Sequence, residues 1–247
     1  MKKIFSIIVI SILIIGIFTG CAATSSLGNR TQSLGNSNGS GNVNNSGNAI
    51  NTSVKLSENE IQGLLYMVEE EKLARDVYTY LYDKWGTQTL GNIINSEQTH
   101  MDAVRKLLSA YGIDNPNLSE DYGVFENQDL QSLYNSLIRI GSESEADAVK
   151  VGALIEEVDI IDLEKRVSET KNDNIIIVYQ NLNDGSENHL RAFVSKLSVL
   201  GVEYAPQYLS QQEYDAIVGS NSTSNKSNTK TDTVTHSTQK GGQNGGN

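Results

Sequence analysis

Glu97-Gln98-Thr99-His100 lies inside an uninterrupted helical pattern, and its reading decides the fold. Ile93, Glu97, His100, Val104, Leu107 and Tyr111 follow a 4-3-4-3-4 spacing, which puts them on one helix face. Most of that face is apolar and belongs in a core. A carboxylate and an imidazole three residues apart on such a stripe are costly to bury unless a charge or a hydrogen-bonding group meets them. Glu-x-x-His is also the spacing with which bundle helices hold carboxylate-bridged metal pairs, the remaining glutamates coming from partner helices. Standing alone, the pair reads more simply as a buried histidine satisfied by its neighbour. The metal reading needs partners from the rest of the chain.

Four long helical segments are available to supply them. The first runs from about Ser57, an N-cap with Glu60 three residues on, to Trp85, where Gly86 stops it. The second starts near Thr87 and ends at Tyr111-Gly112; the third follows Gly141-Ser142 and runs to about Thr170. The fourth begins near Asp173 and ends at Leu200-Gly201. The only two prolines, Pro116 and Pro206, fall between segments. A longer connection between the second and third segments holds a shorter helix near Leu130 to Ile140, and Ser210 to Val218 predicts a short closing helix. Two tight hairpins and one long crossover predict an all-α fold, a ferritin-like antiparallel four-helix bundle whose crossover carries a short extra helix.

Each long segment carries a metal-capable residue near its midpoint. On the first, Leu64, Val68, Glu71 and Tyr78 point Glu71 inward; on the second, Glu97 and His100 are central. On the third, the face Val149, Ala153, Glu156, Ile160, Leu163 and Val167 is interrupted only by Glu156, with Glu157 on the flank. On the fourth, Ile175, Val178, Leu182, Phe193 and Leu200 surround His189. Antiparallel helices of similar length bring their midpoints to one height. A two-residue error in a boundary moves a group by only about 3 Å. Glu71, Glu97, His100, Glu156 and His189 are therefore expected to meet in one buried layer. Carboxylates that close cannot all stay ionised without a cation among them.

Glu71-Lys72-Leu73-Ala74-Arg75-Asp76-Val77-Tyr78 resembles the first-helix motif Glu-x-x-Ala-Arg-x-x-Tyr of rubrerythrin-type ferritin-like proteins, and Glu97-x-x-His100 matches their second-helix pair. Gly152-Ala153-Leu154-Ile155-Glu156-Glu157-Val158-Asp159-Ile160 and Gly185-Ser186-Glu187-Asn188-His189-Leu190-Arg191-Ala192-Phe193 look more closely like an uncharacterised ferritin-like family, domain of unknown function 2202. The resemblance covers about residues 56 to 218. It implies a ferritin-like bundle and no established activity. One departure matters. Where the rubrerythrin pattern has a fourth-helix Glu three residues before the His, this chain has Ser186, and Glu187 lies on another face. Asp159, three residues after Glu156, is a further candidate oxygen ligand, and Ser186 and Tyr78 are candidate neighbours of the centre. The cofactor readings left open are a di-iron centre, a mononuclear iron or manganese centre, and a vestigial polar core.

Outside the domain, Lys2 and Lys3 precede a mostly Ile, Val, Leu and Phe run, Ile4 to Phe18, and then Thr19-Gly20-Cys21. This reads as a lipoprotein-type signal peptide over residues 1–20 that leaves the sole cysteine, Cys21, as a lipidated N-terminus. Phe18 stands where Leu is usual, and an uncleaved membrane anchor is the other reading. Residues 21–55 are an Asn/Gly/Ser-rich tether and residues 220–247 a polar tail of the same kind, expected to be disordered. The domain is then 56–219. It holds 29 acidic against 12 basic residues, whereas the whole chain has a net charge of −11. Such acidity disfavours nucleic acid and suits metal ions, although much of it is expected on solvated helix faces. A single cysteine excludes an intrachain disulfide and a rubredoxin-like electron-transfer module.

Two functions follow as expectations. One is a membrane-tethered ferritin-like metalloprotein outside the cytoplasm, handling iron, oxygen or peroxide. The other is a structural or binding lipoprotein with a vestigial site, which Ser186 favours. Self-association through a bundle face is open in both.

Overall fold

The computed structural model describes residues 50, 52–113 and 119–220. The leader, Cys21, most of the tether and the tail beyond Ser220 lie outside the described residues. The described chain forms six helices: α1 (Glu58–Trp85), α2 (Gln88–Ala110), α3 (Gln128–Gly141), α4 (Glu145–Glu169), α5 (Asp173–Val199) and α6 (Gln211–Gly219). No strand occurs among the described residues, and none of their helices is long and apolar enough to cross a membrane.

Local chemistry sets the ends of these helices. Ser57 and Glu60 form a reciprocal capping box: the Ser57 hydroxyl accepts from the Glu60 N–H while the Glu60 carboxylate accepts from the Ser57 N–H at 2.7 Å. Gly86 closes α1 at φ 67°, a left-handed conformation that costs glycine nothing, and Thr87 alone then separates it from α2. Asn172 caps α5 after a similarly short connection, residues 170–172, its side chain accepting from the N–H groups of Asn174 and Ile175. Such short links force each pair to run antiparallel. α1 packs chiefly on α2 and α4 on α5, and the two hairpins meet through α2 against α5 and α1 against α4. α3, within the crossover, lies against α1 and α4, and α6 covers part of α5.

The crossover is tied to α1 by buried charge. Lys72, only 1% exposed, donates to Asp76 Oδ2 at 2.6 Å and to the carbonyls of Asp121 and Val124 at 2.8 and 3.2 Å. Asp76 also accepts from the Gly123 N–H at 2.9 Å and from Arg75, whose guanidinium reaches Gln98 on α2. Every donor and acceptor in this group is matched, which is the condition for burying ions without a net penalty. This part of the domain charge is buried and paired instead of lying on a solvated helix face.

The apolar core is in two parts. One contains Leu73, Val77, Tyr78, Leu90, Ile93, Ile160, Leu190 and Phe193. The other contains Leu64, Met67, Val68, Met101, Val104, Leu163, Tyr179 and Leu182. On α1 the boundary falls between Val68 and Leu73, on α2 between Ile93 and Met101, and on α5 between Leu182 and Leu190. The residues in those gaps include Glu71, Glu97, His100, Ser186 and His189. A polar layer thus crosses the bundle at mid-height, sealed above and below by hydrocarbon.

Candidate metal centre

Glu71, Glu97, His100, Glu156 and His189 are all buried and all come together in this layer. They form two triads that share one residue, Glu71–Glu97–His100 and Glu97–Glu156–His189. Glu97 stands between them. Its Oε2 lies 3.1 Å from His100 Nδ1, and its Oε1 lies 2.9 Å from His189 Nδ1. Glu71 Oε2 completes the first group at 3.3 Å from His100 Nδ1, and Glu156 Oε2 the second at 3.5 Å from His189 Nδ1. The two imidazoles stack with centroids 5.5 Å apart. Helix periodicity explains the arrangement: i, i+3 spacing puts Glu97 and His100 on one face of α2, and the short hairpin links align the other midpoints with it.

Each triad could hold a metal ion; hydrogen bonding satisfies the set only in part, through His100 Nδ1 and Glu97 Oε2 at 3.1 Å. Each Nδ1 carries at most one proton, yet each faces two carboxylate oxygens. Glu71 Oε1, Glu97 Oε1 and His189 Nδ1 are buried without a hydrogen-bond partner. Glu97 Oε1 and His189 Nδ1 are close, but they are not aligned as donor and acceptor. Oxygen and nitrogen atoms about 3 Å apart, unaligned with one another, are what neighbouring ligands of one ion look like when metal–ligand bonds are about 2.1 Å. Protons, by contrast, leave orphans in a low-dielectric layer, which is costly.

Electrostatics carries the same message. Burial alone would raise the Glu97 carboxyl, but its contacts with His100 and His189 and their charges bring it down to about 2. Burial would lower His100 and His189; contacts with Glu71 and Glu97 raise His100 to about 11, and Glu156 and Glu97 raise His189 to about 10. Glu71 is pushed up to about 8 by burial, against the pull of His100, and Glu156 is raised by burial and by the charge of Glu97. Without a metal the layer holds protons that an ion would displace.

Several supporting residues were not found by sequence reasoning. Tyr78 was singled out as a neighbour, and it donates to Glu156 Oε1 at 2.6 Å, leaving Oε2 toward His189. Ser96 was not; its Oγ lies 3.0 Å from His189 Nε2. A proton held at that Nε2 leaves Nδ1 with its lone pair toward the carboxylates, the usual way an outer partner orients a ligand imidazole. Gly185 has a steric role. A Cβ there would lie 2.6 Å from both Cε1 and Nε2 of His100, so only glycine lets α5 pass this close to the ring. Gly185→Ala is therefore expected to displace His100 and weaken binding at the Glu71–His100 triad at least about tenfold, measured by metal titration, with the Glu156–His189 triad little changed.

The family model described as "Uncharacterized protein domain (DUF2202)" matches residues 60–221, well over half of the chain. This chain belongs to the DUF2202 family. It is 52% identical over 167 residues to the uncharacterized protein MJ0754 of Methanocaldococcus jannaschii, an overlap of 68% of this chain and 90% of that protein. It is also similar to the crystal structure of the hypothetical protein MJ0754 from Methanococcus jannaschii DSM 2661, at 51% identity and a TM-score of 0.66, covering 68% of this chain and 95% of that one.

Within the DUF2202 domain, two further residues beside the centre are buried. Ser186, a candidate neighbour of the centre, is fully buried and contacts Asp159 Oδ2. Glu157, expected on the flank of α4, is 0% exposed. It accepts from the Tyr204 hydroxyl at 2.5 Å and from the N–H groups of Gln207, Tyr208 and Leu209 at 2.7–3.1 Å. The segment after α5 folds back over that flank, a contact that no pattern within α4 announces. Glu70 and Asp162 are buried beside the layer as well, and Glu70 is held well above the usual carboxyl range by burial and by the charges of Asp162 and Asp159.

Proposed function

We propose that this DUF2202 protein is a membrane-tethered ferritin-like protein acting outside the cytoplasm. Its buried carboxylate and histidine centre binds iron or manganese and serves iron, oxygen or peroxide handling. One observation carries the reading: two buried His-and-carboxylate triads share Glu97 across two adjoining positions. Imidazole and carboxylate donors without a thiolate suit iron and manganese. When bound, such ions supply one-electron redox chemistry toward oxygen or peroxide. The chain's own part is to bind and orient them. Glu97 joins the two positions, Tyr78 fixes Glu156, Ser96 sets the His189 tautomer, and the two apolar clusters keep bulk water out. The test is metal titration of protein purified without chelator. Two equivalents of ferrous iron or manganese are expected to bind, and iron-loaded protein is expected to change its visible spectrum on exposure to oxygen or peroxide. Absence of binding would leave the structural lipoprotein as the better reading, the one that Ser186 favours.

The protons held in the layer make this centre pH-dependent. Glu97 is depressed to about 2, so its contribution to the stability of metal-free protein is present above pH about 4.5 and lost as pH falls through 2. Glu71, raised to about 8, contributes below pH about 4.5 and loses that contribution as pH rises through 8. His100 and His189, raised to about 11 and about 10, contribute fully below pH about 6.5 and lose it as pH rises through those values. Metal-free protein is expected to be most stable near pH 4.5, to weaken as Glu71 loses its contribution toward pH 8, and to weaken further above pH 6.5 as the histidines do. Metal binding, which displaces those protons, is expected to tighten from pH 6 to pH 8. Thermal midpoints across pH, with chelator and with manganese, check both signs.

Membrane tethering rests on the charged start, the apolar run Ile4 to Phe18 and the single Cys21. Cys21→Ser is expected to move the protein from the membrane to the soluble fraction. Retention of an uncleaved chain in the membrane would point to an anchor instead.

A further inference from the structure

We propose that Asp159, aimed by Ser186, is a further carboxylate ligand of the centre, supplied from α4 in place of the glutamate that α5 lacks. The inference rests on the metal-binding reading above and extends its ligand set.

Ser186 lies three residues before His189, so the two share a face of α5, and Ser186 is fully buried in the polar layer. Its side chain is too short to stand in for a glutamate. Instead its hydroxyl contacts Asp159 Oδ2, and it also approaches the Leu182 carbonyl at 3.1 Å. Asp159 lies three residues after Glu156 and so shares the inward face of α4. It is 5% exposed, and its other oxygen, Oδ1, is buried with no hydrogen-bond partner. An ionised carboxylate with one oxygen tied to a hydroxyl and the other unmatched is costly in hydrocarbon; without a cation on the free oxygen it is left to hold a proton.

Charge counting on a centre of two divalent ions points the same way. Glu71, Glu97 and Glu156 bring three negative charges, against four positive charges on two divalent ions. A buried cluster with a net charge is expensive, and Asp159 brings the sum to zero. Asp159 belongs to neither triad as they stand. Burial and the charges of Glu71, Glu156 and Glu97 all raise the Asp159 carboxyl, so it lies within electrostatic reach of the centre. The Ser186 contact holds Oδ2, which leaves Oδ1 as the oxygen that would serve a cation held by Glu71 and His100.

The test is titration of chelator-stripped full-length protein with Co2+, read by its visible absorption bands. Wild type is expected to take two equivalents. Asp159→Asn, which keeps the shape, is expected to weaken one of the two at least tenfold and to change the band intensities, the sign of an altered coordination number. Ser186→Ala is expected to move both readouts in the same direction by a smaller, several-fold amount. Asp159→Ala with Ser186→Glu, which returns the carboxylate to α5, is expected to regain the second equivalent that Asp159→Ala alone loses. Asp159→Asn with two equivalents, unchanged affinity and unchanged bands, while Glu97→Gln binds none, would overturn the role of Asp159 and leave the centre standing. Wild type that binds no Co2+, Mn2+ or Fe2+ would overturn both. The thermal midpoint of metal-free Asp159→Asn, expected to equal or exceed that of wild type, separates a lost ligand from a damaged fold.

Discussion

Glu97→Gln is expected to abolish the stabilisation that metal gives this protein. Binding to the folded state alone stabilises by about 3–4 kcal/mol when free metal is a few hundred times the dissociation constant. For a domain of this size that is a rise of about 10 °C in the thermal midpoint. Glu97 presents one oxygen to each triad, so the amide replaces one of these oxygens with a non-ligating NH2 and takes from both positions the negative charge they share. The histidines divide the work differently. His100 belongs to the Glu71 side and His189 to the Glu156 side, so each histidine-to-alanine variant is expected to keep one ion and part of the midpoint rise. Sequence reasoning treats the five residues as one set, in which losing either histidine removes most of the effect; the shared carboxylate is what distinguishes them. Thermal unfolding with chelator and with manganese, for wild type and the three variants, measures it. A full midpoint rise in Glu97→Gln would exclude Glu97 as the joining ligand.

Glu157→Ala is expected to destabilise the domain by about 3 kcal/mol, a fall of about 10 °C, without changing how much metal each folded molecule binds. Read by itself, α4 puts Glu157 on the flank, which leaves metal-dependent stabilisation nearly intact on substitution and gives no sign of a cost to the fold. In the fold, the carboxylate receives the Tyr204 hydroxyl and three consecutive backbone N–H groups, Gln207 to Leu209, which lead into α6. Truncation strands these donors and releases the segment that covers α4. The partly exposed positions in that segment can recover water, which keeps the cost near 3 kcal/mol rather than at the sum of four charge-assisted bonds. Denaturant unfolding gives the stability, and metal content per folded molecule separates it from damage to the centre. Glu157→Gln, which keeps one acceptor oxygen, is expected to lose less.

Local rules account for much of what the sequence shows. Ser57 with Glu60 and Gly86 mark helix ends within a residue or two, because capping hydrogen bonds connect residues only a few positions apart. The interrupted stripes at Glu71, Glu97 with His100, Glu156 and His189 were legible for the same reason: a helix repeats its face every three to four residues, so a charged residue on an apolar face stands out. The length of each helix then sets the height of its midpoint.

What one helix cannot report is which of its other faces becomes covered, and by what. Lys72 and Asp76 are buried because the crossover folds onto α1, and their partners Asp121, Gly123 and Val124 lie some fifty residues away. Glu157 is buried by a segment about fifty residues later in the chain. Gly185 matters because α5 passes within contact of a ring on α2. Ser96 matters because His189 arrives opposite it. Capping and periodicity determined the helices and placed five polar side chains on their inner faces. The division of those five into two triads around Glu97, the pairing of Ser186 with Asp159 and the burial of Glu157 were decided only by tertiary structure, because each depends on contacts between residues distant in sequence that no local hydrogen bond or repeat encodes.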